Sequence, residues 1–149
     1  MKTKFLLLAL AFLFLHTSGQ SQKKEPPSEE FLSRAIEFHG HLGPYLVLGL
    51  KAGLYANETL GKDPMKTEAS IKTKMSSPQS CFVDGVQFST GCTMGKGNIL
   101  LQEGEGLLAT FKKNSEVLAL RLKKEIIDEM SSLPDSEEAW ESYAKDLLK

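Results

Sequence analysis

Metal- and sulfur-chemistry residues are scarce in this chain: it has two cysteines and three histidines in 149 residues. No cysteine follows Cys92, so a densely cross-linked secreted scaffold is excluded. Long apolar runs are missing as well. The longest, Phe5 to Leu15, has eleven residues, about half of the roughly 20 needed to span a bilayer. Basic excess is absent, with 18 Lys and Arg against 19 Asp and Glu, which argues against nucleic acid as a partner because that function leaves a basic footprint. A true phosphate loop is lacking too. Gly91, Gly95, Lys96 and Gly97 are reminiscent of one, but Asn98 stands where a Ser or Thr is required. That stretch reads as a tight turn with a few exposed amides, and Lys96 as a side chain able to hold an anion near a site. The chain has no internal repeat and no long low-complexity segment.

What is present begins with a signal-peptide pattern. Lys2 and Lys4 precede the apolar run, and Thr17, Ser18 and Gly19 are small, so cleavage after Gly19 is expected. The mature chain would start at Gln20 and keep 16 basic against 19 acidic residues. The expectation is an exported protein, periplasmic or extracellular, with no membrane attachment after cleavage. Residues 20–27 form a polar, proline-containing leader. Residues 28–149 suffice for one domain with a real core.

Within that domain Ser28 caps a helix predicted to reach His39, where Gly40 ends it. Pro44 starts a second helix running to about Leu60, with Gly61 as its stop. Gly49 and Gly53 lie one turn apart on it and imply close approach of another backbone, within the chain or across a dimer. Ala69, Ile71, Thr73 and Met75 alternate with polar residues as a strand. Ser80 to Gly91 brackets a third helix. Strands are predicted at Asn98 to Gln102, Leu107 to Lys112 and Glu116 to Leu122. A helix follows at about Lys123 to Met130, and a last amphipathic helix carries Trp140, Tyr143, Ala144 and Leu147. The expected class is α+β, helices on a small mixed or antiparallel sheet.

Setting aside His16, which lies in the signal-peptide segment expected to be cleaved, every histidine and cysteine falls in two stretches, FHGHLGP from Phe38 and CFVDGVQFSTGCTMGKGN from Cys81. His39 and His41 flank a helix-ending glycine, where both rings can face one way. Neutral imidazole is the commonest metal ligand. Cys81 and Cys92 are eleven residues apart. On one continuous helix they would be separated by about 16 Å along the axis, too far for a disulfide or a shared ion. Either becomes feasible if the chain turns back at Gly91. Cys92, beside that turn, reads as the better ligand and Cys81 as ligand, disulfide half or buried thiol. Asp84 is placed to orient a histidine or act as a base. Asn57-Glu58-Thr59 matches a glycosylation sequon inside a predicted helix and carries little weight.

Taken jointly, His39-Gly40-His41 with Pro44, then Cys81, Val83, Asp84 and Gln87, then Thr90-Gly91-Cys92-Thr93 and Gly95-Lys96-Gly97-Asn98, resemble the E-subunit family of formylmethanofuran dehydrogenase. The resemblance covers about residues 31–122, leaving 123–149 as C-terminal helices. It implies a compact α+β core, commonly a homodimer, with a metal site built from the histidine and cysteine segments. Zinc is the metal it points to, with nickel or another transition metal as alternatives. The family pattern has a cysteine where Gly43 stands and a glycine where Tyr45 stands, and the C-terminal zinc finger of some members is absent.

Three functions compete. The first is an exported metal-binding accessory or carrier protein using His39, His41, Cys92 and Cys81. The second is a metal-dependent enzyme acting on a small carbonyl or anionic substrate, with Asp84 or Lys96 as acid, base or anion clamp. The third is a non-metal interaction domain stapled by Cys81 and Cys92.

Overall fold

The computed structural model describes residues 26–149; the signal segment expected at 1–19 and most of the expected leader lie outside the described residues. Five helices and four strands follow in the order α1 (Glu29–His39), α2 (Pro44–Leu60), β1 (Thr67–Thr73), α3 (Cys81–Thr90), β2 (Ile99–Glu103), β3 (Leu107–Lys113), β4 (Glu116–Arg121), α4 (Lys124–Ser131) and α5 (Glu137–Leu147). A single 3-10 turn, Met94–Lys96, leads into β2; nothing in the sequence pattern marked it as helical. The sheet order is β2-β1-β3-β4, with β1 and β2 parallel and the other pairs antiparallel. The parallel pair requires a crossover, and α3 supplies it. The class is α+β with a mixed sheet.

Local chemistry explains most boundaries. Ser28 accepts the Phe31 N–H at 3.2 Å, and Gly40 closes α1 in the left-handed conformation, φ 101°. Pro44 opens α2 without a side-chain cap. Ser80 precedes α3 but makes no capping bond, so the expected cap there is positional only. Asp63 accepts from the Met65 and Lys66 N–H groups, which sets the turn into β1.

The inward residues of the sheet align across strands. Ala69 pairs with Ile99 on one side and Phe111 on the other, and Phe111 with Leu118. This face meets α2, whose Tyr45, Val47, Leu50, Ala56 and Leu60 are all buried. A helix buried around most of its circumference is a core helix. α1 packs against α3 through Phe31 and Phe88, ring centroids 5.1 Å apart.

Helices α2 and α3 touch backbone to backbone. A Cβ at Gly49 would lie 2.2 Å from the Phe82 carbonyl oxygen, and one at Gly53 1.9 Å from Ser89 Oγ. The close approach read from Gly49 and Gly53 is therefore made inside the chain, to α3, which leaves that face unavailable as an argument for a dimer. Asn57 donates to the Ser89 carbonyl at 2.9 Å, so its amide locks the same helix pair. No helix among the described residues is long and apolar enough to cross a membrane.

Candidate functional site

The N-terminal half of α3 and the end of α1 form the site. His39 is the last residue of α1 and Asp84 lies in the first turn of α3. His39 Nδ1 is 2.7 Å from Asp84 Oδ2. An ionised carboxylate only accepts, so Nδ1 carries the proton and donates. In the neutral ring that leaves the lone pair on Nε2. The His39 side chain is only 7% exposed, and its Nε2 is buried with no hydrogen-bond partner. An orphaned buried polar atom costs about 1–3 kcal/mol, so a molecule keeps one only where something offsets it.

His41 stands beside it, with ring centroids 4.7 Å apart and planes inclined at 37°. The left-handed Gly40 between them turns the chain so that the two rings meet. A Cβ at Gly43 would approach His41 Nε2 to 3.1 Å. A side chain at position 43 therefore starts against the His41 ring. The cysteine of the family pattern would start there too, and in this chain that position is empty of sulfur.

His41 and Cys81 line one cavity of about 340 Å³, together with Tyr45, Pro78 and Trp140. Burial pushes the Tyr45 phenol above its ordinary range, so it stays a neutral hydroxyl. Cys81 begins α3 with its sulfur 3.8 Å from Ser77 Oγ. Sequence reasoning did not find Tyr45, Pro78 or Trp140. They come from three separate segments, and no spacing announces that they share a wall.

Cys92 is elsewhere. It follows the C-terminal end of α3, is fully buried, and donates from Sγ to the Thr67 carbonyl at 3.3 Å. Burial pushes its thiol up from the ordinary range, outweighing the lowering by Thr90 and Lys96. A protonated core thiol is a poor ligand. Cys92 thus does not join the histidines, and the ranking of Cys92 above Cys81 reverses. The reason is the direction taken after Gly91: the chain runs past Thr67 at the start of β1 and on to β2 rather than back along the helix.

Both cysteines are free. They sit at opposite ends of a ten-residue helix, about 15 Å of rise, so the Cys81–Cys92 staple is not formed. Lys96 donates to the Gly91 carbonyl of its own loop, which makes this a tied turn, at the Cys92 end and not beside His39. Among the described residues no three His, Cys, Asp or Glu side chains already converge as a metal cage. The fit to a metal is therefore partial: one preoriented buried imidazole, a second imidazole against it, and a thiol that shares a wall with the second.

Two comparisons with known proteins bear on this constellation. Residues 38–148 match the family described as "FmdE, Molybdenum formylmethanofuran dehydrogenase operon". Over 100 residues the chain is 33% identical to a protein of Archaeoglobus fulgidus named "Probable S-adenosyl-L-methionine-binding protein". The aligned part is 64% of this chain but only 27% of that relative, so most of the relative has no counterpart here. The family match starts at Phe38, takes in both histidines and the whole of α3, and ends one residue past α5. The chain belongs to the FmdE family.

Proposed function

We propose that this is an exported transition-metal-binding protein acting as an accessory or carrier. His39 Nε2 and His41 are its primary ligands, Cys81 its candidate third, and zinc its expected divalent ion. The observation that carries the reading is His39: a buried ring with one nitrogen fixed by Asp84 and the other left without a partner. A carboxylate on the far nitrogen is the common support of a ligating histidine, orienting the ring and raising its basicity. A bound divalent ion would supply Lewis acidity and, in an open position, an acidified water. The chain's own part is to hold the His39 proton at Nδ1, to set the two rings side by side, and to wall the site with Tyr45 and Trp140. Two imidazoles and one thiol that stand apart from a finished cage favour reversible loading over a closed structural centre. Export rests on the leader pattern of residues 1–19. The S-adenosylmethionine binding in the relative's name is not carried over, because the shared part is about a quarter of that protein.

The test is metal analysis and Zn(II) competition titration of untagged mature protein. About one ion per chain is expected. Asp84→Ala, which leaves the imidazole unsupported, should weaken binding about 10–100-fold, and His39→Ala should abolish it. Absence of zinc binding in the folded wild type, or an Asp84→Ala variant that binds as well as wild type, would refute the assignment.

A further inference from the structure

The cavity lined by His41 and Cys81 has room for more than an ion. Its volume of about 340 Å³ falls in the range of small-molecule sites. Most of its wall is apolar, built from the start of α2 and from Trp140 of α5. One polar group in that wall is unexplained. Tyr45 is only 6% exposed, and its hydroxyl has no hydrogen-bond partner among the described residues. The partnerless polar side-chain atoms sealed from solvent there are His39 Nε2 and Thr73 Oγ1. The Tyr45 oxygen is not one of them, so it reaches open space, and the open space that Tyr45 borders is this cavity. A buried phenol usually finds a partner, and the side left for one here is the cavity.

Charge decides the class of ligand. Asp135 and Glu137 line the same cavity. Both are exposed, and neither is in an ion pair among the described residues. No lysine or arginine lines it. The starts of α2, α3 and α5 face this space too, each equivalent to about half a positive charge. Two of them are answered within the chain. The first amides of α3 bond back to the Pro78, Gln79 and Ser80 carbonyls, and Ser136 accepts from Ala139 at the start of α5. Two full negative charges therefore outweigh the uncapped start of α2. Glu137 also suits the positive end of α5, but Glu138 does the same without lining the cavity, and that role leaves Asp135 and Tyr45 unaccounted for. Trp140 stands beside these acids on α5, and an aromatic wall with acidic neighbours is a means of holding a cationic group.

We propose that this cavity binds a small organic cation, an ammonium group carried on an apolar body. Trp140 and the start of α2 take the body, the Tyr45 oxygen accepts from the ammonium, and Asp135 and Glu137 supply the counter-charge. Unlike a metal ion, such a ligand spans the cavity, so these groups need not converge on one point. Binding is non-covalent and moves no proton or electron. It does not rest on the metal reading, because a protonated amine has no lone pair for a metal and His39 does not line the cavity.

Trp140 is the single tryptophan of the chain, so its fluorescence reports on this cavity directly. Untagged mature protein, freed of metal by a chelator, is titrated with phenethylammonium near neutral pH and followed by that fluorescence and by calorimetry. Phenethyl alcohol and hydrocinnamate are the neutral and anionic probes of similar shape. Saturable one-to-one binding of the ammonium is expected, weaker for the alcohol and weakest for the carboxylate. Asp135→Asn with Glu137→Gln changes two exposed side chains and keeps the Ser136 cap, so folding is preserved, as circular dichroism would verify. That double variant should bind the ammonium roughly fivefold more weakly or worse and the alcohol as before. Equal or tighter binding of the carboxylate, an unaltered ammonium affinity in the double variant, or no saturable ammonium binding by the folded wild type would overturn the cation site. His39→Ala should lose Zn(II) and keep the ammonium, so failure of the metal reading and failure of this one are seen separately.

Discussion

Gly85 is the position at which adding one carbon should do most damage. It sits on α3 next to Asp84, facing Gly49 of α2. An alanine Cβ there would lie 2.4 Å from the Leu46 carbonyl oxygen, 2.6 Å from the Leu50 nitrogen and 2.8 Å from the Gly49 carbonyl carbon. All three are backbone atoms, so no rotamer change relieves the clash. Ordinary contact begins at 3.4 Å, and the helices must therefore part by about 1 Å. Overpacking of this kind costs typically 1–3 kcal/mol. Alanine returns at most about 1 kcal/mol of helix propensity. With rigid obstacles the upper end applies, for a net loss of about 2 kcal/mol, or roughly 6–10 °C in Tm for a domain of this size. Urea and thermal unfolding followed by circular dichroism would measure it. Gly95→Ala is the control, because a Cβ there meets nothing within 4 Å, and it should stay within about 0.5 kcal/mol of wild type. The loss should extend to metal. His39 and Asp84 are 2.7 Å apart, and a shift of α3 by about 1 Å would stretch that contact beyond hydrogen-bond length. A Gly85→Ala protein as stable as wild type, or a Gly95→Ala protein equally weakened, would refute the backbone contact between α2 and α3.

Two further outcomes check other parts of the molecule. In the native protein a thiol-alkylating reagent should modify Cys81 and spare Cys92, which is fully buried with its thiol pushed up by that burial. Mass spectrometry of peptides would show this, and equal labelling of both before denaturation would contradict the placement of Cys92. Tyr143 donates to Glu129 at 2.5 Å. Desolvation first, and then that carboxylate, raise its phenol to about 12. An unfolded tyrosine ionises near pH 10, so between pH 10 and about 12 the unfolded chain loses a proton that the folded one keeps, and stability falls with rising pH across that window. Phenolate absorbance should show Tyr45 and Tyr143 titrating late, with the late amplitude reduced by one phenol in Tyr143→Phe, and an unaltered late step in that variant would reject the contact.

How far the sequence carries depends on whether a feature is local. Ser28, Gly40, Pro44, Gly61 and Gly91 each act on the turn they occupy, so the bounds of α1, α2 and α3 could be read directly. The same holds for the alternation in β1, β3 and β4, because period two follows from one buried face. Gly49 and Gly53 were legible as a demand for close approach, but a missing side chain does not say whose backbone comes near. Only the tertiary fold answers that, with Phe82, Gly85 and Ser89. Cys92 shows the same limit more sharply. Its position after a glycine turn is compatible with a path back toward Cys81 or a path past the start of β1, and the hydrogen bond to Thr67 is the product of the second.

The site divides along the same line. His39, His41 and Asp84 could be named from motif and spacing, since a glycine-broken pair and a first-turn acid are local facts. The walls around them could not. Met75 reads in sequence as the last inward residue of a strand, yet β1 ends at Thr73 and the methionine lines a separate pocket beside Cys81. Met94 sits in a turn that periodicity cannot see. Gly43 makes the point for the metal itself. Its backbone is extended, φ −131° and ψ 157°, a conformation that any residue adopts, so the turn does not require glycine. What the glycine removes is a side chain aimed at His41 Nε2. With no thiol at that point, Cys81, which lines the same cavity as His41, is the sulfur left to the imidazoles.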